Sequence, residues 1–312
     1  MTDKIIITIP SFRRPMSLLQ LLRSIEQLKT DADVEIVVAD NDAEKQEAHT
    51  VVRELRAEKY RFPLHVVLAE ERGISPARNA SLHAALAVPG ATHVAMIDDD
   101  EEAPKDWLEH LLLKARKTGA DIIGGPVYPI FDAPAPAPAW ATECGFFKKD
   151  EFPDGIIPFI PRTSNLLVAV DILRRVPPPW FDSSFSFTSG EDLDFLHRAK
   201  MANAAFAWAS RAVIHEHIPE SRMSKAWLRQ RAYRIGNCYI LVRKKHGLEL
   251  REQIWIMSRC SAAIGYRMFR FVIESPSEVA RLQNIWKIFW HLGKMGALLN
   301  HRYEEYRRSH GR

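Results

Sequence analysis

Apolar and polar residues fall into blocks along the first two thirds of the chain, and the period changes from block to block. Lys4 to Ile9 is a continuous Ile-rich run of strand length, and from Met16 to Lys29 the residues Leu18, Leu22, Ile25 and Leu28 recur at helical spacing. Val34 to Ala39 predicts a second strand closed by Asp40-Asn41-Asp42, Glu44 to Lys59 a polar helix, and Leu64 to Leu68 a third strand. A helix over Ser75 to Ala87 opens on Ser-Pro; an apolar strand then runs from Thr92 to Asp98, followed by a helix over Asp106 to Lys117 and a strand over Asp121 to Ile123. Strands alternating with helices at this spacing call for a mainly parallel sheet covered on both faces.

Between Pro126 and Pro161 the rhythm stops. The Pro-Ala repeat there removes backbone donors and fixes φ, which predicts a long surface loop. Its aromatics Trp140, Phe146, Phe147, Phe152 and Phe159 have two readings, a face toward a substrate or simple packing of the loop onto the body. Order resumes over Ser164 to Val176; Gly190-Glu191-Asp192 leads into a helix over Leu193 to Met201, and Ala205 to Ile214 is the last predicted strand. The expected organisation is an α/β domain over 1–220 and a basic helical region over 221–312.

The strand from Thr92 ends in Asp98-Asp99-Asp100-Glu101-Glu102. Carboxylates abutting a buried strand sit at its C-terminal tip, where open α/β sheets bind ligands. Such a cluster repels itself unless a cation neutralises it, and an all-oxygen donor set suits Mg2+ or Mn2+ carrying a substrate diphosphate. Glu101, Glu102 and Asp106 also have a plainer reading, as acids flanking the helix that Pro104 opens.

At 312 residues, 46% of them hydrophobic, the chain has ample material for one large domain or a domain with an appendage. Cys144, Cys238 and Cys260 are scattered and odd in number, which argues against a disulfide framework or a zinc site and fits a reducing cytoplasm. The N-terminus lacks the features of a signal peptide, and no apolar run reaches transmembrane length. The net charge of +4 hides an asymmetry: from Ser221 to Arg312, 19 Lys and Arg stand against 6 Asp and Glu, a balance of +13 that leaves −9 on residues 1–220. A basic tail on an acidic body suits a phosphorylated substrate or an anionic membrane surface. Nucleic acid would call for cations over the body as well, so none is expected as a partner.

Five short motifs stand in order: Ile-Pro-Ser-Phe-Arg-Arg at 9–14, Val-Val-Ala-Asp-Asn-Asp at 37–42, Gly73 to Asn79, Asp98-Asp99-Asp100, and Gly190-Glu191-Asp192. Together they span most of residues 4–236, and in them the chain resembles the family 2 glycosyltransferases. The first is similar to that family's opening Pro-Thr-Tyr-Asn-Arg, the second to its second-strand acid, the third to its Gly-x-x-x-Ala-Arg-Asn segment, and the last two to its Asp-x-Asp and Glu-Asp pair. The resemblance implies a GT-A fold, Rossmann-like with a mainly parallel central sheet flanked by helices, plus a C-terminal helical appendage. It divides the catalytic domain into a nucleotide-sugar-binding half, 1–125, and an acceptor-binding half, 126–220. The implied reaction is inverting transfer of a sugar from a nucleotide diphosphate, UDP by expectation, to a hydroxyl of a glycan or lipid-linked oligosaccharide in exopolysaccharide or lipopolysaccharide synthesis.

Within the resemblance, Pro10, Ser11 and Phe12 wall the pocket under the base, with Arg14 beside them in the donor site. Asp40 resembles the residue that accepts the uracil imide hydrogen, and its plainer reading is a turn and helix cap. Arg78 either holds nucleotide or phosphate oxygens or pairs with Asp40 or Asp98. Asp98 and Asp100 point the same way if strand geometry persists and can share the ribose and metal work of the donor site, Asp100 being the direct ligand of Mn2+ or Mg2+ and Asp99 standing behind it. Inversion requires a carboxylate to take the acceptor's proton; Asp192 is assigned that role and Glu191 the acceptor, against helix N-capping for both. His215 and His217 lie on one face of a strand end, where an imidazole, His217 in preference, either completes the metal shell or serves the structure.

In the tail, Arg222, Arg229, Arg231, Arg234 and Arg243-Lys244-Lys245 interleave with Trp227, Tyr233 and Tyr239, a pattern that suits diphosphate binding. Trp140, Arg231 and Arg234 are the expected acceptor contacts. Ile235 stands where processive family members carry Trp, so processive polymerisation is not expected. Farther on, Ile254, Trp255, Phe269, Trp286 and Trp290 alternate with cations, which reads as helices lying peripherally on the inner surface of the inner membrane or as a bundle packed on the domain. A polyprenyl-diphosphate-linked acceptor is compatible with both. Two other classes compete: a nucleotidyltransferase, whose Gly-rich, Lys-containing loop is replaced by Pro10-Ser11-Phe12-Arg13-Arg14, and a noncatalytic nucleotide-sugar binder, which leaves Glu191-Asp192 unexplained.

Overall fold

The computed structural model describes residues 3–132, 137–148 and 151–304; most of the Ala-Pro repeat and the last residues of the basic tail lie outside the described residues. The first half follows the expected rhythm: β1 (Lys4–Ser11), α1 (Pro15–Glu26), β2 (Asp33–Asp40), α2 (Glu47–Ala57), β3 (Leu64–Leu68), α3 (Ile74–Ala87) and β4 (His93–Met96). After it come β5 (Glu101–Glu102), α4 (Trp107–Thr118), β6 (Ile122–Gly124), β7 (Val127–Phe131), α5 (Ala139–Glu143), β8 (Gly155–Ile157), β9 (Leu166–Ala169) and α6 (Val170–Arg175). The chain closes with α7 (Glu191–Met201), β10 (Phe206–Trp208), β11 (Ile214–Ile218), α8 (Lys225–Lys245), α9 (Leu250–Ile273) and α10 (Glu278–Leu298).

Among the described residues, eight strands form one sheet in the order β3-β2-β1-β4-β9-β6-β10-β8. All its neighbours pair in parallel except at β9, which runs against β4 and β6, and at β8, which runs against β10. Strand alternation sends Ile5, Ile7 and Ile9 to one face and Ile6 to the other. Leu18, Leu22 and Ile25 of α1, Val52 of α2 and Leu111 of α4 cover the first face; Leu82 of α3, Ile172 of α6 and Leu196 of α7 cover the second. A central strand buried on both sides needs an unbroken apolar run, which is why β1 reads as continuous isoleucine rather than alternating.

Two expectations are corrected. Residues 126–161 are not an unbroken loop, because β7, α5 and β8 lie in them. The stretch Ala205 to Ile214 is not one strand: the backbone turns at Ala209–Ala212, Asn165 Nδ2 captures the Ala212 carbonyl at 2.7 Å, and β11 leaves the large sheet for a small one in the order β5-β11-β7. That switch pairs Glu216 with Glu101 and carries β11 to the acidic tip.

The helical appendage is present. α8 and α10 run side by side, so close that a Cβ on Gly236 would stand 1.9 Å from the Trp290 carbonyl oxygen and one on Gly293 2.0 Å from that of Tyr233. Leu228 and Leu282 bring the appendage down onto Trp140, Phe147, Ile218 and Met223. No described helix is long and apolar enough to cross a membrane.

Candidate active site

Beyond β4 the chain turns sharply, and Asp98, Asp99, Asp100 and Glu101 gather at the C-terminal edge of the sheet. Several elements hold them. Arg78, on α3, donates Nη2 to Asp98 Oδ1 at 2.9 Å. Ser11, at the end of β1, donates to Asp99 Oδ2 at 2.9 Å, and Arg14 bridges Asp99 and Asp100 at 3.0 and 2.9 Å. Glu101 turns back to accept the Asp98 backbone N–H at 2.8 Å. Asp100 also accepts from Arg222, just before α8, at 3.1 Å, and the same guanidinium reaches Glu216 at 3.4 Å.

Crowding of like charge in a dry place disfavours ionisation. Burial, and then Asp100's charge against Arg14's, moves Asp99 up to about 6. Burial with Asp98 beside it holds Glu101 well above the ordinary glutamate range, and burial raises Asp98 despite Arg78.

The acceptor-side pair opens α7. Gly190 supplies its N-cap at φ 113°, a left-handed conformation that also fits the close approach of Val242 and Cys238 from α8. Asp192 stays partly exposed, accepting from the Thr163 hydroxyl, while Arg78 Nε stands 3.5 Å from its Oδ1. Glu191 is 4% exposed, and its Oε2 has no hydrogen-bond partner among the described residues. Burial, and then the neighbouring Asp192, pushes Glu191 up to about 8. One guanidinium therefore joins Asp98 to Asp192, which are 94 positions apart in the chain.

Several expected residues lie elsewhere. Asp40 is 1% exposed and already used, accepting from the Asp42 N–H on one oxygen and from the His49 backbone and ring on the other. In this structure it serves the turn and the start of α2, its plainer reading. His217 is directed away from Asp100's carboxylate: Nδ1 meets Asp132 at 2.8 Å and Nε2 stands 3.5 Å from Glu102. Burial would lower its pKa, but those two carboxylates outweigh that and raise it. On alternating β11 it is Glu216 that faces the acids, so His215 and His217 do not complete the cluster. Trp140, expected at the acceptor, is 6% exposed in the packed cluster under α10. Phe152 likewise packs on Trp208 and Phe159 on Phe206. Arg234 is 2% exposed and buried near Glu191 rather than lining an opening, while Arg231 lies over the Trp227 ring.

Pro10 and Ser11 are buried at the end of β1, and Phe12 is half-buried between the guanidiniums of Arg13 and Arg72, 5.0 and 5.2 Å from its ring. Arg222 and Glu216 were not singled out by the sequence as partners of Asp100. Neither is Asn41, which ties the second motif to the third by accepting from the Gly73 N–H at 2.7 Å and donating to the Ala69 and Glu71 carbonyls. Their signal lies in the tertiary contacts alone.

Comparison with known proteins shows the family and the fold. The Glycosyl transferase family 2 profile matches residues 6–168, more than half of the chain, and the Glycosyl transferase family group 2 profile matches residues 93–299. The chain belongs to glycosyltransferase family 2. This family 2 enzyme is 32% identical over 302 residues to the succinoglycan biosynthesis protein ExoM of Rhizobium meliloti strain 1021, covering 93% of this chain and 91% of that one. It superposes on S. aureus TarS 1–349 in complex with UDP-GlcNAc with a TM-score of 0.51 at 15% identity, covering 96% and 93% of the two chains. Against the UDP complex of the same fragment the TM-score is 0.52 at 14% identity, with the same coverage. At that identity the likeness carries the GT-A fold. Membership sets aside the nucleotidyltransferase and the noncatalytic binder.

Proposed function

We propose that this glycosyltransferase transfers a sugar, with inversion, from a UDP-sugar to a hydroxyl of a lipid-linked oligosaccharide during assembly of a bacterial exopolysaccharide. The observation that carries the reading is the Arg78 bridge, which sets the donor-side acid Asp98 and the acceptor-side acid Asp192 on one guanidinium. The kinship with ExoM, a succinoglycan biosynthesis protein, supports the polysaccharide setting, and the UDP and UDP-GlcNAc complexes of TarS support the donor class.

Asp192, the more exposed of the α7 pair, is the group positioned to take the acceptor's proton as the anomeric carbon is attacked. Glu191, pushed up to about 8 by its burial, keeps a second negative charge off the neighbouring base near neutral pH. Arg14 and Arg222 lie on the donor side of the acids, where guanidiniums can take the charge of the departing diphosphate. Oxygen donors fit a divalent cation: Asp98, Asp99, Asp100, Glu101 and Glu216 outnumber Arg14, Arg78 and Arg222 around them. Among the described residues no three side chains converge as a preformed metal shell. Asp100, with Asp98, would hold Mn2+ or Mg2+ together with the donor, and the cation would supply Lewis-acid neutralisation of the diphosphate.

Calorimetry with UDP, GDP and dTDP, with and without Mn2+, tests the donor reading on the wild type, Asp100→Ala and Asp192→Asn. UDP is expected to bind in a metal-dependent way that Asp100→Ala abolishes. Asp192→Asn should bind UDP normally yet transfer sugar ~10²–10⁴-fold more slowly. Folded protein that binds none of the three nucleotides would sink the reading.

A further inference from the structure

α9 has an unusual solvent side. Ile254, Trp255, Met268, Phe269, Val272 and Ile273 are each exposed by 58–70%, and at helical spacing they share one face with the small residues between them. Among the described residues, the exposed positions of α9 from Ile254 to Ile273 include a single charge, Arg259, whose guanidinium lies 4.5 Å over the Trp255 ring. Ile256 and Cys260 occupy the opposite side and pack toward Ile240, Leu241 and Ala297. The apolar face is therefore not the one that builds the bundle. Soluble chains rarely leave a patch of this extent bare.

The charge around this face says what covers it. Residues 221–312 carry a balance of +13; Arg251, on this side of α9 one turn before Ile254, is exposed, and Arg259 lies beside the face. Lys287 and Lys294 on the neighbouring α10 are both held below the ordinary lysine range, by burial first and then by arginines near them. A second copy of the chain would set one such positive region against another. An anionic bilayer surface offers the opposite charge for the arginines and an apolar layer for the side chains between them.

We propose that the solvent face of α9 is a membrane-docking surface, lying in the headgroup region of an anionic bilayer with Trp255 and Phe269 as its anchors. The helix neither spans the bilayer nor needs to, since the face alone supplies the buried apolar area. This deepens the reading of a lipid-linked acceptor and rests on it for its purpose: docking would hold the catalytic edge near the plane in which such an acceptor diffuses.

Full-length protein is sedimented with vesicles of phosphatidylcholine mixed with phosphatidylglycerol and, separately, of phosphatidylcholine alone. The wild type is expected to partition onto the mixed vesicles, and the double variant Ile254→Ser, Phe269→Ser to lose binding by about tenfold or more. Both residues face solvent, so the variant should keep the wild-type melting temperature and, by calorimetry, its UDP binding. Three results overturn the proposal: a wild type that ignores the mixed vesicles, a variant that sediments like the wild type, or a wild-type dimer in light scattering that the variant dissolves. Loss of UDP binding in the wild type would count against the donor reading and leave this one standing.

Discussion

The contact between α8 and α10 permits a prediction in which one substitution changes sign with its place. Glycine inside a helix is ordinarily destabilising, and replacing it by alanine should gain ~0.5–1 kcal/mol. At Gly293 the added Cβ would stand 2.0 Å from the Tyr233 carbonyl oxygen, 2.8 Å from its carbon and 3.0 Å from the Asn237 nitrogen. Comfortable non-bonded contact needs roughly 3.5 Å, so the overlap exceeds an ångström. The atoms struck are helix backbone, which cannot swing aside like a side-chain end, so the two helices must part. Parting stretches the 3.2 Å hydrogen bond from Asn237 Nδ2 to the Gly293 carbonyl and the bonds from Lys244 to the last carbonyls of α10. Overpacking of this kind costs ~1–3 kcal/mol, and the strained hydrogen bonds add ~1 kcal/mol, which outweighs the propensity gain. Gly293→Ala should therefore be destabilised by ~2 kcal/mol net. Gly265, on the solvent face of α9, has nothing within 4 Å of its would-be Cβ, and Gly265→Ala should gain the ordinary ~0.5–1 kcal/mol. Urea unfolding followed by tryptophan fluorescence reads both. A Gly293→Ala midpoint at or above the wild type would refute the close approach of the two helices.

Two further outcomes follow from the site. Glu191, raised from the usual 4.5 to about 8, favours the folded state below pH 4.5, and that contribution is lost as pH rises through about 8. Glu191→Gln should thus become steadily more stable relative to the wild type between those values, and melting curves that stay parallel across them would count against a buried, protonated Glu191. Trp140→Ala should cost ~3–5 kcal/mol of stability by emptying the cluster beneath α10, with the KM for acceptor unchanged in whatever protein remains folded; a raised KM at wild-type stability would restore it to the acceptor site.

Much of the catalytic domain was legible in the chain because its signals are local. β1 through β4 and the helices between them are set by apolar periodicity, and the strand Leu64–Leu68 was delimited to the residue. The motifs Asp98-Asp99-Asp100 and Glu191-Asp192 were legible for the same reason: each is a short local run directly after a buried strand or at the start of a helix. Other expected site residues are of another kind. Asp40 and His217 sit at the right strand ends, but whether such a side chain is free depends on its neighbours, and His49 and Asp132 had already taken theirs. Trp140 could face a substrate or a core, and the arrival of α10 from the far end of the chain chose the core.

By itself, the sequence determined the order of strands and helices from β1 to β4, the acidic tip of the sheet, the acid pair opening α7 and the charge of the tail, because periodicity and composition act over a few residues at a time. Tertiary structure alone decided that Arg78 joins Asp98 to Asp192, that Arg222 reaches back across the presumed boundary to Asp100, and that β11 leaves the main sheet to bring Glu216 alongside. An ion pair depends on distance in space, and spacing along the chain carries no record of which cation the folded sheet will set beside which acid.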